Sequence, residues 1–180
     1  MCNSFNKKFL DEASKMYEQN DDPINEHEMF MSMAIDLAKK GMENEEGGPF
    51  GCIIVKDGKV IGKGNNKVTG TNDPTAHAEV VAIRDACAHL QDFQLTGCTI
   101  YATCEPCPMC LGAIYWARPE EVFYGALKGD AAKIGFDDQF IYEELDIEIS
   151  NRKISFQQIS RNESIKLFEI WENNDRKKPY

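Results

Sequence analysis

Four residues of this chain could carry out metal chemistry by their type and spacing. They occur as His77-Ala78-Glu79 and Pro106-Cys107-Pro108-Met109-Cys110. One imidazole and two thiols form a borderline-to-soft donor set of the kind zinc takes, and Glu79 is not needed as a ligand. Three protein ligands leave the fourth position of a tetrahedral ion open for water, the arrangement of a catalytic rather than a structural site. A zinc ion so held lowers the pKa of water from roughly 15.7 to about 7, while the carboxylate remains available to move protons.

Each half of the pattern has other uses. A C-x-x-C pair alone also serves structural zinc ribbons and redox motifs, and Cys104 stands where a fourth ligand of a closed site could come from. An iron–sulfur cluster on Cys104, Cys107 and Cys110 needs one more cysteine, and Ile114 occupies the position that a ferredoxin-type run would use. The conjunction decides. A His, a Glu two residues on, and a Pro before the first Cys of C-x-x-C make up the signature of zinc deaminases acting on amino-substituted heterocycles.

The bulk of the chain narrows the substrate. Its 180 residues suit one domain with a substantial core, and the formal net charge is −10. Nucleic-acid binders present basic faces, whereas here the basic clusters are short: Lys39-Lys40 and Arg176-Lys177-Lys178. A small neutral molecule is expected as substrate, with no nucleic acid partner. No apolar run approaches the roughly 20 residues of a membrane span, so no membrane association is expected. The first eight residues lack the apolar core of a secretory signal. With seven cysteines, an odd number, and a metal-type cluster, the expectation is a cytoplasmic protein whose thiols stay reduced. Cys52, Cys87 and Cys98 lie in apolar segments and read as small core residues.

The surrounding elements must position these groups. Residues 1–25 read as an extension, possibly helical, and 26–180 as one domain. A helix is expected from about Glu26 to Lys40, ended by Gly41. Cys52–Val55 and Val60–Ile61 read as strands around an Asp57-Gly58 hairpin turn. Asn72-Asp73-Pro74-Thr75 is expected to start a helix carrying His77 and Glu79 near its N-terminus. Thr99–Ala102 reads as a buried strand, followed by a helix from Cys107 or Pro108 to Trp116 and a strand at Glu121–Tyr124. A last helix is expected near Glu163–Asn173. Strands alternating with helices after a hairpin imply an α/β domain with a mixed sheet.

These motifs resemble those of the cytidine-deaminase-like superfamily, and within it the guanine deaminases of bacterial type. The resemblance covers roughly residues 26–180. Beyond the metal motif it rests on Gly47-Gly48-Pro49-Phe50-Gly51, on Asn72 through Glu79 and on Ile114-Tyr115-Trp116-Ala117-Arg118-Pro119. It also rests on Ile134 through Tyr142 and on the terminal Lys177-Lys178-Pro179-Tyr180. It implies a three-layer α/β/α fold with a sheet of about five strands. It further implies zinc-dependent hydrolysis of a purine base, guanine, to xanthine and ammonia. His77, Cys107 and Cys110 would bind Zn²⁺, Glu79 would transfer the proton, and Asp138 would be a second acid near the exocyclic amine. Asn66 would contact the purine, Phe50 and Trp116 would frame it, and Tyr180 would close over it. The resemblance also implies a homodimer with exchanged C-terminal tails.

The ordinary roles of these residues stay open beside those: turn geometry for Asn66, a helix cap or solvated acid for Asp138, packing for Phe50 and Trp116, and a loose terminus for Tyr180. Other functions also stay open: a guanosine, cytosine or transfer-RNA adenosine deaminase, or a zinc-stabilised binding module without catalysis. A module would have no use for Glu79.

Overall fold

The structure is a computed structural model and describes residues 25–180. The expected N-terminal extension therefore lies outside the described residues, Asn25 excepted. The chain divides into two compact units, one ending at Asp137 and one spanning Asp138–Tyr180.

In the first unit the elements run α1 (Glu26–Glu43), β1 (Gly51–Lys56), β2 (Lys59–Asn65), the short α2 (Val68–Thr71), α3 (Ala78–Leu90), β3 (Cys98–Cys104), α4 (Pro108–Ala117), β4 (Glu121–Ala126) and α5 (Lys128–Lys133). The sheet order is β2-β1-β3-β4. β1 is antiparallel to both β2 and β3, and β4 is parallel to β3, so the sheet is mixed. Successive side chains of a strand point to opposite faces, and β1 shows what this does. Cys52 and Ile54 pack with Ile100 and Ala102 against Ala78, Ala82 and Ala86 of α3 and Ile114 and Ala117 of α4. Ile53 and Val55 pack with Tyr101 against Phe30, Met33 and Ala34 of α1 on the other side. An interior strand apolar on both faces thus produces the three-layer α/β/α arrangement expected from the sequence.

The sheet has four strands among the described residues, one fewer than the five or so expected. All four strands read from the sequence are present. Beyond β4 the chain turns helical, and Leu127 and Asp130 form reciprocal bonds at the start of α5. Residues 155–160, apolar at Phe156 and Ile159, form no ladder with any described strand, and a strand exists only through its ladder.

Local turn chemistry sets where the elements begin. Asp57 and Gly58 have φ of 49° and 69°, the two left-handed residues of a tight hairpin turn. The expected helix start at 72–75 is corrected. Asp73 Oδ1 accepts both the Thr75 N–H (2.8 Å) and the Thr75 hydroxyl (2.7 Å), a local turn that competes with the helix. The helix begins at Ala78, with His77 as its N-cap. Gly41 does not end α1, which continues to Glu43; Gly41 is buried, and a Cβ there would press on the Asn65 side chain. Gly64 has a similar reason. A Cβ there would lie 2.6 Å from the Ala82 nitrogen and against the Ala78 carbonyl, so glycine allows β2 to touch the first turns of α3.

The second unit contains α6 (Gln139–Asp146), a 3₁₀ turn (Ile149–Asn151) and α7 (Arg161–Glu172). The Lys153 N–H is tied to the Glu144 carboxylate (2.9 Å), and the Arg152 guanidinium lies 5.5 Å from the Phe156 ring centroid.

Candidate active site

Two helix N-termini supply the metal-type donors. His77 is the N-cap of α3 and Cys107 the N-cap of α4, both extended, and neither side chain caps its own helix. The two side chains turn toward each other instead. His77 Nδ1 lies 3.4 Å from Cys107 Sγ and 3.5 Å from Cys110 Sγ. All three donor atoms fall within 4.8 Å of one another. With zinc–nitrogen bonds of about 2.0 Å and zinc–sulfur bonds of about 2.3 Å, a tetrahedral site has nitrogen–sulfur edges of about 3.5 Å. The donor set and its edges fit a single zinc ion.

The electrostatics of the trio follow from its contacts. The Cys110 thiol, hydrogen-bonded to Cys107, is the main reason the Cys107 thiol is pushed down to about 4, with His77 adding to it. Cys110 is pushed up by the same bond and by burial. The bond to Cys107 raises His77 in turn. The positive N-terminal ends of α3 and α4 favour negative charge at this point. Cys104, the alternative fourth ligand, is outside the cluster, and its thiol donates to the Leu127 carbonyl (3.8 Å).

Glu79 sits in the first turn of α3, only 8 % exposed. Burial pushes its carboxyl above the ordinary range, partly offset by its own backbone N–H, and the negative Cys107 pushes in the same direction as burial. A carboxylate with a raised pKa accepts a proton more readily than an exposed one.

The remaining sequence-predicted residues divide between the two units. Asn66 is 5 % exposed, and its N–H donates to the Phe50 carbonyl (2.9 Å), so these two residues adjoin. The Lys67 N–H donates to the Ala76 carbonyl (2.9 Å), which ties the end of β2 to the segment entering His77. Phe50 meets Phe136 edge to face, with centroids 4.9 Å apart. Trp116 lies on α4 but is 65 % exposed, while Cys110, Ile114 and Ala117 of that helix are buried. Asp138 and Tyr180 belong to the second unit. Asp138 occupies the N-cap position of α6 without capping it, and Tyr180 is 70 % exposed. Sequence reasoning missed Glu46 and Asn65, whose side chains meet at 2.6 Å beside Asn66. One glutamate among the three of Glu43-Asn44-Glu45-Glu46 gives no signal of a partner nineteen residues on.

Similarity to known proteins agrees with this geometry. The family model of the cytidine and deoxycytidylate deaminase zinc-binding region matches residues 24–126. The guanine deaminase of Bacillus subtilis (strain 168) is 54 % identical over 154 residues, covering 86 % of this chain and 99 % of that protein. An X-ray structure of guanine deaminase from Bacillus subtilis superposes with a TM-score of 0.83 at 55 % identity, covering 86 % of this chain and 98 % of the other. A tRNA-specific adenosine deaminase of Aquifex aeolicus is 46 % identical over 100 residues, covering 56 % of this chain and 66 % of that protein. With the matched region spanning both halves of the His77–Cys107–Cys110 cluster and the buried Glu79, this chain belongs to the cytidine and deoxycytidylate deaminase family of zinc enzymes.

Proposed function

We propose that this chain is a zinc-dependent aminohydrolase that converts guanine and water to xanthine and ammonia. The observation that carries the substrate is the extent of one likeness. Identity of 54 % runs across 86 % of this chain and 99 % of a guanine deaminase, whereas the tRNA-specific relative of Aquifex aeolicus matches over 56 % of this chain and 66 % of its own length. The acidic balance of the sequence points the same way, since a transfer RNA is a polyanion.

His77, Cys107 and Cys110 would hold the zinc, which supplies a Lewis acid that lowers the pKa of water at neutral pH. Glu79 takes a proton from the attacking water and delivers it to the purine ring as oxygen bonds to C2. It then carries the proton of the new C2 hydroxyl to the amino group, so that the C2 carbonyl forms, the C2–nitrogen bond breaks and ammonia leaves. A buried carboxyl with a raised pKa suits both directions of transfer. Asp138 assists the departing amine, Asn66 donates a hydrogen bond to the base, Phe50 and Trp116 frame it, and Tyr180 closes over it.

Residues 26–180 work as one deaminase domain, as a homodimer that exchanges its C-terminal tails. In the second unit Ile159, Leu167, Phe168 and Ile170 are each 65–80 % exposed in the isolated chain, an apolar surface that a second copy would cover. No helix of the described residues is long and apolar enough to cross a membrane. A site built on two thiols needs a reducing compartment, and the cytoplasm supplies one.

Ammonia release from guanine, guanosine, cytosine, adenine, cytidine and a transfer RNA tests the assignment. Turnover of guanine far above the rest is expected. Equal turnover of guanosine would move the chain to nucleosides, and release from transfer RNA alone would overturn the base as substrate.

A further inference from the structure

The Asn66 amide has one permitted orientation. Its Oδ1 accepts the Gly48 N–H (3.3 Å) and the Val68 N–H (3.2 Å). A backbone N–H can only donate, so a flipped side chain would set donor against donor. The Nδ2 group is therefore the edge left to meet a ligand, and it asks for an acceptor. The two amides come from separate segments, the loop before β1 and the turn after β2. They converge on one oxygen only while those segments are held together.

Glu46 holds them. Its carboxylate accepts from Asn65 Nδ2 at 2.6 Å and lies 3.8 Å from Lys67 Nζ, so it grips the neighbours of Asn66 on both sides. Its carbonyl accepts the Gly70 N–H (2.8 Å) and the Thr69 hydroxyl (3.1 Å). Its own N–H donates to the Gly41 carbonyl (2.9 Å), anchoring the clamp to α1. Asn65 Nδ2 also donates to the Asn66 carbonyl (3.2 Å). The fit leaves no slack on the loop side, where a Cβ at Gly47 would lie 2.6 Å from the Asn66 carbonyl oxygen. A short bond to an ionised carboxylate is among the stronger hydrogen bonds, while the half-exposed ion pair with Lys67 adds little.

We infer that Glu46 is a positioning residue for base recognition: acting through Asn65, it fixes the Asn66 amide with its donor edge toward the purine. This rests on Asn66 contacting the base, as proposed above. None of the Glu46 bonds just named falls on α3 or α4, which carry the zinc ligands and Glu79. Glu46 therefore acts on how guanine is held and not on the chemical step.

Steady-state kinetics on guanine with the zinc-loaded protein test this. Glu46→Ala should raise KM by about tenfold, the size of one lost hydrogen bond to a well-placed donor, with kcat and zinc content held within about twofold. Glu46→Gln keeps a carbonyl acceptor for Asn65 Nδ2 and should restore KM to within about threefold of the parent. Asn65→Ala breaks the same bond from the other end, should raise KM like Glu46→Ala, and serves if the latter fails to fold. In an Asn66→Ala background, Glu46→Ala should add less than about twofold to KM, because coupled residues are not additive. A KM that rises equally in both backgrounds, or a fall in kcat with KM unchanged, would overturn the positioning role. If Asn66→Ala itself leaves KM unchanged, the base contact is wrong and the inference falls with it. If Asn66→Ala raises KM while Glu46→Ala and Asn65→Ala do not, the clamp alone is wrong.

Discussion

Glu79 is buried beside two thiols and an imidazole, and that burial pushes its carboxyl above the ordinary range. Its substitution by glutamine keeps the volume and removes the proton transfer. Glu79→Gln should lower kcat on guanine by about 10²–10⁴-fold, with one zinc per chain still found by elemental analysis. Zinc loss in parallel with activity would make the carboxylate a ligand or a folding residue. With Asp138 proposed to act in the substrate step, Asp138→Asn should lower guanine turnover with zinc content unchanged. The same loss in Asp137→Asn, and none in Asp138→Asn, would shift the role by one residue.

At the scale of elements, the catalytic geometry depends on how closely α3 can approach the sheet. Ala78, Ala82 and Ala86 face β2 across Gly62 and Gly64, and this small-residue seam sets the height at which His77 and Glu79 stand. Gly64→Ala places a methyl group against the Ala78 carbonyl, one residue from each of them. Overpacking of this kind costs about 1–3 kcal/mol, and chemical denaturation should show it. Turnover should fall further than the stability loss explains, because the N-terminus of α3 moves as a unit. A variant destabilised by this amount with parental kcat would show that the seam sets stability only. The N-cap positions of His77 and Cys107 make the same point. By leaving their helices uncapped, both side chains become available to each other, and the helix ends lend their positive field to the thiolates.

At the scale of the whole molecule, the prediction concerns the C-terminal tail. Deleting residues 175–180 should impair guanine turnover while zinc stays bound, since a cover over the site excludes water and strengthens its electrostatics. Mixing the tail-deleted chain with Glu79→Gln chains should restore part of the activity. A mixed dimer would have one intact Glu79 site covered by an intact tail. Full activity of the deletion by itself would rule out the cover, and no recovery in the mixture would argue against exchange between subunits.

The metal centre was legible because its chemistry is local in type. One His, one Glu two residues later and a Pro-Cys-x-x-Cys leave few alternatives, whichever way the chain folds. The strands were legible for a similar reason, since Cys52–Val55 and Thr99–Ala102 are apolar on both faces and must lie inside a sheet. The sequence alone therefore determined the metal-type donor set, the carboxylate beside it, the layered α/β class and the strands that build it. The start of α3 was not legible, because the Asp73 turn competes with the helix and only packing decides between them. The expected fifth strand depended on a ladder partner, which no segment shows for itself. The Glu46–Asn65 clamp was invisible for the same physical reason. Hydrogen bonds between distant residues exist only once the loop before β1 and the turn after β2 have been brought together. Tertiary structure alone decided which way the Asn66 amide faces.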